Sequence, residues 1–401
     1  MANVSSSNGL EKRPKLRFPG FDEPWMEKKL DSLLSPRVEK QIPSEEAPLM
    51  AFTAEGGVEP KGERYDRSYL VKSEDKLYKR TEYNDFIYSS NNLDVGSIGL
   101  NKYGTAVISD VYEIFSVLPD NLPTFISELI QRPHNIAEIL KYRQGCLYGQ
   151  YRIYAEDFLS VSVLVPEKAE QERISSFLDA LDNKINHQAR LIKSLKKYKR
   201  GLVNDIFSQR IATYNERNEW TISPFGEVVT INPKTGALPD EFIYLDLECV
   251  NSGKVCAINI IKRENAPSRA QRLLEKNDVL YQMVRPYQQN NYIYANTFPT
   301  PVVASTGYAQ IKCGVCDPQF VYEQISSERF AKEAMLRSTG TSYPAINAED
   351  LGEIPFFLPS PHIQKRIGAF LSLVNQKIFK LEDELQLLES AKTSLMQQLF
   401  I

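Results

Sequence analysis

One segment of this chain occurs twice. Residues 166–207 and 359–400 align without a gap at a constant offset of 193 positions. Identical residues recur along the whole length of the two copies, including Pro166/Pro359, Gln171/Gln364, Lys199/Lys392, Leu202/Leu395 and Phe207/Phe400. A repeat of this length constrains the fold more than composition does, because two segments that align without a gap are expected to adopt the same local structure.

Each copy is predicted to form one long helix. Apolar residues recur at alternating spacings of four and three, which is typical of a heptad seam. At 1.5 Å per residue, a seam from Leu178 to Ile206 would be about 40 Å long, more than most small domains can cover. We therefore expect the two copies to pair antiparallel. The predicted packing residues are Ile174, Leu178, Leu181, Ile185, Leu195, Leu202, Ile367, Leu371, Val374, Ile378, Leu385, Leu388 and Leu395.

A lysine occupies the same seam position in both copies, as Lys199 and Lys392. A buried polar residue in such a seam can fix the register and the orientation of the pair. The alternative is a lysine whose stem packs in the seam while its charge reaches water.

The repeat extends upstream of the helices. Residues 84–88 match residues 277–281, and 153–157 match 346–350, again at an offset of 193. Each half is therefore predicted to be a globular block followed by a long helix, and strand-like and helical runs alternate within each block. The predicted fold class is mixed α/β (α+β): two globular domains joined by two long helices that form an antiparallel coiled coil. The predicted boundaries are 1–165, 166–209, 210–358 and 359–401.

Charge and cysteine content restrict where such a chain acts. The net charge of −3 means that any nucleic-acid surface must be local. No apolar run has the length that a membrane span needs, and the five cysteines fit a reducing compartment. We expect a cytoplasmic protein. Cys313 and Cys316 could form half of a zinc site completed by Cys249 and Cys256, or could be ordinary buried thiols.

The sequence predicts no catalytic centre. It has neither a phosphate-binding Gly-x-x-x-x-Gly-Lys-Ser/Thr loop nor a His-Glu-x-x-His zinc helix, and its three histidines are far apart. We therefore expect no metal or cofactor to be bound by this chain.

Basic and amide side chains cluster in both blocks. Arg and Lys can bond guanine edges and Gln and Asn adenine edges, which makes these clusters candidate DNA contacts. Loops of this composition are also ordinary solvated loops, and that alternative stays open. The predicted DNA-binding residues are Lys72, Lys76, Lys79, Arg80 and Asn91 in the first block and Arg269, Gln271, Arg272, Arg285, Gln288, Asn290, Asn291 and Tyr308 in the second.

Several segments carry a resemblance to a known family. They are the opening Pro14-Lys15-Leu16-Arg17-Phe18-Pro19-Gly20-Phe21 with Trp25, the run from Ile354 through Gln364-Lys365-Arg366-Ile367 to Gln398-Leu399-Phe400, and the stretches 304–308 and 338–346. With these segments, the chain resembles the specificity subunit of type I restriction-modification systems over nearly its whole length. The second copy departs from the family's usual Glu-Gln pair: it has Ile363-Gln364 where the first copy has Glu170-Gln171.

The resemblance implies a role in a larger assembly. It implies two target-recognition domains, each reading one half of a split double-stranded DNA sequence, and helices that dock two methyltransferase subunits. Endonuclease and translocase subunits would join this complex. S-adenosylmethionine, ATP and Mg²⁺ would be used by the partners, so that this chain is not itself an enzyme. The alternatives are a coiled-coil scaffold that binds proteins and a complete restriction-modification enzyme in one chain, which the missing catalytic motifs disfavour.

Overall fold

The computed structural model describes residues 12–54, 57–60, 76–91, 93, 96–147, 150–208, 220–295 and 297–401. The chain divides into two compact units. Unit 1 comprises residues 1–186 and 386–401, and unit 2 comprises residues 187–385. Because the division falls inside both long helices, each unit contains one globular block, the first part of the helix that follows it and the last part of the other helix.

Unit 1 combines short strands with helices. Its described strands are β1 (Met26–Lys29), β2 (Leu34–Pro36), β3 (Lys40–Gln41), β4 (Ala51–Thr53), β5 (Gly57–Glu59), β6 (Tyr78–Thr81), β7 (Phe86–Ser89), β8 (Ile98–Leu100), β9 (Ala106–Ile108), β10 (Tyr112–Val117), β11 (Gln144–Leu147), β12 (Gln150–Arg152) and β13 (Ser162–Val165). Its helices are α1 (Pro123–Ile130), α2 (Pro133–Leu140), α3 (Ala155–Ser160) and the first part of α4 (Lys168–Phe207). A four-stranded antiparallel sheet has the order β2-β10-β7-β8, beside a three-stranded sheet β3-β6-β9 and the pairs β1-β13, β4-β5 and β11-β12.

Unit 2 has a matching set of elements. Its described strands are β14 (Thr221–Pro224), β15 (Thr230–Ile231), β16 (Glu241–Leu245), β17 (Val250–Asn251), β18 (Lys254–Val255), β19 (Asn259–Lys262), β20 (Ala270–Leu273), β21 (Val279–Gln282), β22 (Tyr292–Ile293), β23 (Val302–Ser305), β24 (Tyr308–Lys312) and β25 (Pro355–Leu358). Its helices are α5 (Phe225–Val228), α6 (Pro318–Ile325), α7 (Glu328–Leu336), α8 (Ala348–Gly352) and most of α9 (Pro361–Leu399). The sheet orders are β15-β24-β21-β22 and β19-β16-β23-β20, with pairs β14-β25 and β17-β18.

The upstream repeat found in the sequence forms the same turn in both units. Asn84 and Asn277 both have a positive φ, 67° and 72°, a conformation that asparagine tolerates better than most residues. The next residue in each case is a buried aspartate that accepts a backbone N–H three residues upstream: Asp85 from Glu82 at 2.6 Å and Asp278 from Glu275 at 2.8 Å. The turn leads into β7 in unit 1 and into β21 in unit 2.

A repeated glutamine fixes the start of each long helix. Gln171 Nε2 donates to Pro166 O at 3.1 Å, and its Oε1 accepts the Leu122 N–H that precedes α1 at 3.0 Å. Gln364 repeats both bonds, to Pro359 O at 2.9 Å and from Asp317 N at 3.1 Å ahead of α6. Since both glutamines are buried, each unit satisfies a helix N-terminus with the same side chain.

The far end of each long helix enters the core of one unit. In unit 1 the Phe400 ring lies 5.3 Å from Phe125 and 6.4 Å from Trp25. In unit 2 the Phe207 ring lies 5.6 Å from Phe320. Such aromatic clusters bury large apolar areas, so each core includes residues from both long helices.

The two long helices run antiparallel within each unit. In unit 1, Lys392 Nζ lies 2.6 Å from Asp182 Oδ1. In unit 2, Gln188 Nε2 donates to Leu381 O at 2.8 Å, and Lys196 Nζ lies 2.7 Å from Glu382. The predicted fold class, mixed α/β with two long paired helices, is confirmed. No helix in the described part of the chain is long and apolar enough to cross a membrane.

All thirteen predicted packing residues of the helices are buried or half-buried. Ile174 and Leu178 belong to the hydrophobic core of unit 1, and Leu371 to that of unit 2. The first turns of each helix therefore pack on the globular block that precedes them as well as on the other helix.

The two seam lysines are held in ion pairs. Lys392 pairs with Asp182 on α4, whereas Lys199 Nζ lies 2.9 Å from Glu323 Oε2 on α6. Glu323 is almost fully buried, and its Oε1 also accepts from Gln319 Nε2 at 3.1 Å. The lysines thus do not simply extend their charges into water, and Lys199 links α4 to the globular block of unit 2.

Candidate nucleic-acid interface

Loop 284–291 brings several of the predicted DNA-binding residues together in unit 2. It follows β21 and contains a 3₁₀ turn, Pro286–Gln288, flanked by Arg285 and Gln289, each with a φ of 53°. Left-handed backbone at two non-glycine residues is uncommon and persists only where the surroundings hold it. Arg285, Gln288 and Asn290 all lie on this loop.

Buried amide side chains anchor the loop. Gln282 Nε2 donates to Val284 O and to Gln288 Oε1, both at 2.8 Å, while its Oε1 accepts from Asn290 N at 3.0 Å. Asn291 Oδ1 accepts from Gln282 N at 2.9 Å. Both anchors are about 1% exposed, so their bonds are shielded from water and the loop is held in one shape.

A second segment, residues 338–345, supports the loop from the side. Arg285 N donates to Pro344 O at 2.7 Å, and Val284 forms a backbone bridge with Ala345. The Arg285 guanidinium lies 4.2 Å from the centre of the Tyr343 ring, which is 66% exposed. An arginine stacked on an exposed tyrosine presents both a cation and an aromatic face, the combination that binds phosphates and bases.

Arg269, Gln271 and Arg272 lie at or next to β20, in the other sheet of unit 2. Arg269 and Gln271 are exposed, and Gln271 Nε2 donates to Ser268 O at 2.7 Å. Arg272 is half-buried, and burial lowers the pKa of its guanidinium. The predicted residues of the second block therefore fall into two groups, and Arg285 of the loop 284–291 group stacks on an aromatic ring.

Two predicted residues of this block are buried. The Tyr308 side chain has no exposed surface, and its hydroxyl donates to Asp246 O at 3.4 Å in the core. Burial raises the pKa of Tyr308. Asn291 Oδ1 accepts from Gln282 N, and its Nδ2 donates to Ser326 Oγ. Both side chains make internal hydrogen bonds and do not face solvent. Neither is therefore part of the candidate interface.

The predicted residues of the first block are mostly committed to internal contacts. Lys79 Nζ lies 2.7 Å from Glu113 Oε2 and donates to Tyr112 O, and Arg80 pairs with Glu82 and donates to Gln41. Lys76 is exposed, with its Nζ 5.0 Å from the Tyr78 ring centre. Asn91 is half-buried and forms a backbone bridge with Arg152. Lys72 lies outside the described residues.

The β11–β12 hairpin is a candidate surface that the sequence prediction missed. Arg143 lies 5.2 Å from the Tyr151 ring centre and Arg152 lies 4.9 Å from that of Tyr154. Both tyrosines and Tyr142 are exposed. The hairpin therefore presents stacked arginine–tyrosine pairs, as the Arg285–Tyr343 pair does in unit 2.

These two arginine–tyrosine surfaces share one equivalent segment of the repeat. The backbone bridge Asn91–Arg152 in unit 1 and the bridge Val284–Ala345 in unit 2 differ by 193 at both residues. By the offset that aligns the helices, the hairpin therefore corresponds to residues 337–345, the segment that carries Tyr343. Applying that offset to the basic and aromatic run at 141–154 would have found the hairpin from the sequence.

Among the described residues, Cys249 does not join Cys313 and Cys316 in one cluster. Cys313 and Cys316 belong to one hydrophobic cluster and Cys249 to another. Burial raises the pKa of Cys313 to about 12 and that of Cys249 to about 11, which disfavours the thiolate that binds metals. Within the described ranges, no three His, Cys, Asp or Glu side chains are grouped to hold an ion.

Comparison with known proteins agrees with this architecture. The family described as "Type I restriction modification DNA specificity domain" matches residues 23–197 and again residues 217–390. The type I restriction enzyme MjaVIII specificity subunit of Methanocaldococcus jannaschii is 23% identical over 262 residues, 60% of this chain and 62% of that protein. The match thus spans less than two thirds of that relative.

Two solved structures share the fold. The S subunit of a type I restriction-modification system from M. genitalium superimposes with a TM-score of 0.61 at 16% identity, covering 97% of this chain and 99% of that one. A chain from a study of complex assembly and conformational transition of the type I restriction-modification system gives 0.53 at 16% identity, covering 96% and 97%.

This chain has the duplicated mixed α/β block and the paired long helices of specificity proteins that carry two recognition domains. Because the two family matches cover most of its length, this chain belongs to the type I restriction-modification DNA specificity domain family.

Proposed function

We propose that this chain is the DNA-reading subunit of a type I restriction-modification complex in the cytoplasm of a bacterial or archaeal cell. Each unit reads one part of a two-part double-stranded target, and the long helices set the gap between the parts and dock two methyltransferase subunits. The chain directs adenine methylation and restriction without carrying out either reaction. S-adenosylmethionine, ATP and Mg²⁺ are used by the methyltransferase and endonuclease subunits.

One observation carries this proposal most directly. Each unit holds an arginine–tyrosine surface that includes the segment the repeat places in common, residues 144–152 in unit 1 and 337–345 in unit 2. The surrounding side chains differ between the two places. Two domains with the same backbone arrangement but different surface side chains are expected to recognise different DNA sequences. The reason is that base edges are distinguished by the donors and acceptors placed against them.

The test uses the full chain assembled with its methyltransferase subunits. Bound duplexes are selected from a randomised pool and sequenced, for the wild type and for two variants. Arg285→Gln is expected to relax the target at one part only, and Arg152→Gln at the other. Loss of a well-made base contact costs about 1–3 kcal/mol of discrimination. Arg263, an exposed arginine of unit 2 paired with Asp240 at 3.3 Å, gives the control R263Q, which should select the wild-type target.

Two results would contradict the proposal. If the wild-type complex selects no sequence, the chain is not a DNA reader, and a protein-binding scaffold becomes the better account. If R285Q and R152Q alter the same positions of the target, the two units do not read separate parts.

A further inference from the structure

A short hairpin in unit 2, residues 250–255, lies against loop 284–291. It consists of β17 and β18 joined by a tight turn at Ser252 and Gly253, whose φ values are 50° and 83°. Ser252 N donates to Asn290 Oδ1 at 3.3 Å. Asn290 is the residue whose own N–H is held by the buried Gln282. The hairpin turn therefore contacts the same residue that the buried anchor holds.

The other side of the hairpin is fastened to the long helices. Lys254 Nζ lies 2.8 Å from Asp383 Oδ1 and 3.4 Å from Glu382 Oε2, and it sits 4.6 Å from the centre of the Phe379 ring. These three partners are on α9. Glu382 also pairs with Lys196 on α4 at 2.7 Å. A continuous set of polar contacts thus joins loop 284–291, the hairpin and both long helices inside one unit.

The turn fits its surroundings only with glycine. A Cβ built on Gly253 would overlap the Tyr322 hydroxyl and approach Phe379 Cζ at 3.7 Å. Tyr322 is on α6, and Phe379 is on α9. The positive φ at this residue adds a second reason, because side chains are strained in that region. The hairpin turn is therefore packed between α6 and α9. Its position depends on this packing as well as on the ion pairs of Lys254.

We infer that hairpin 250–255 positions loop 284–291 relative to the long helices, and that Lys254 and Gly253 are positioning residues for reading the second part of the target. This inference rests on the proposed function for its consequence in DNA reading, but its structural part can be tested without DNA. The physical reason is that a reading loop discriminates bases only if it is held in place on the scaffold that also sets the position of the protein on the duplex.

The first measurement is amide hydrogen exchange of the peptide covering residues 284–291, in the full chain bound to its methyltransferase subunits and without DNA. Lys254→Met removes the ion pairs and keeps the apolar stem, and it should speed exchange in this peptide about threefold, the size expected for a partly exposed ion pair. Gly253→Ala should speed it further. Lys312→Met is the matched control: it removes an ion pair to Glu275 at 2.6 Å elsewhere in unit 2 and should leave the peptide unchanged.

The second measurement is the binding constant for duplexes substituted in one part of the target at a time. Lys254→Met should reduce discrimination about tenfold at the part read by unit 2 and leave the other part unchanged. The charge-swapped pair K254E with D383K should restore part of the loss, which a general folding defect would not show.

The outcomes separate the two proposals. Unchanged exchange in both K254M and G253A overturns the positioning role, whether or not the chain reads DNA. Faster exchange with wild-type discrimination also overturns it. A wild-type complex without sequence preference, together with faster exchange in the variants, would overturn the proposed function and leave the hairpin as a structural support of the loop.

Discussion

The Glu323 carboxylate shows how single residues join the helices to the globular blocks. It is almost completely buried on α6, yet it contacts Lys199 of α4, Asn375 of α9 and Gln319 of its own helix. A buried charge is stabilised only while its partners are present, and removing one partner leaves the desolvation cost unbalanced. Lys199 and Asn375 therefore attach the two long helices to the globular block of unit 2 through one buried carboxylate.

This predicts a specific stability effect for Lys199→Met. The variant leaves Glu323 without a counter-charge, so the free energy of unfolding of unit 2 should fall by about 2–3 kcal/mol, less than for a fully buried pair because Lys199 is partly exposed. The double variant K199M with E323M should recover most of this loss. Trp25 and Trp220 are the only tryptophans in the sequence, so a W25F background lets Trp220 fluorescence report the urea unfolding of unit 2.

The control is Lys196→Met, which removes the more exposed pair with Glu382 and should cost about 0.5 kcal/mol. Equal losses for K199M and K196M would mean that burial of Glu323 contributes nothing to the effect.

At the scale of elements, the long helices show what the repeat could predict. The heptad seam follows from a period that is local in the sequence, the antiparallel pairing from the need of two long seams for a partner, and the match of residues 84–88 with 277–281 from the same offset. The Arg285–Tyr343 pair did not follow, because it depends on which loops the fold brings together, whereas the hairpin was missed although its arginines and tyrosines are neighbours in the sequence. Tyr308 was predicted to contact DNA but is buried, because the strand β24 is central in its sheet, which its own sequence does not reveal.

Lengthening the helices tests their proposed spacer role. One heptad inserted after Ile185 in α4 and one before Leu385 in α9 would extend the pair by about 10 Å, at 1.5 Å per residue. Since successive base pairs rise by about 3.4 Å, the gap between the two parts of the target should grow by about three base pairs. Mapping the methylated adenines measures the gap. A heptad inserted in α4 alone is the control and should disrupt pairing, and an unchanged gap in the double insertion would exclude the spacer role.

At the scale of the whole molecule, duplication supports the proposal that one chain carries two different readers. Each block is attached to the helices by the same two contacts. One is made by the repeated glutamine, Gln171 or Gln364, and the other by the terminal ring, Phe400 or Phe207. None of these residues lies on the arginine–tyrosine surfaces. The proposed reading surface of one unit can therefore change without altering the contacts that attach its block to the helices.

The central claim, that each unit reads its own part of the target, is tested most directly by exchanging one block. Residues 210–357 are replaced by the corresponding block of another member of the family, and the methylated adenines and selected target of the partnered complex are sequenced. We expect one part of the target to change to that of the donor, with the other part and the gap unchanged. A target altered in both parts, or in neither, would contradict the account.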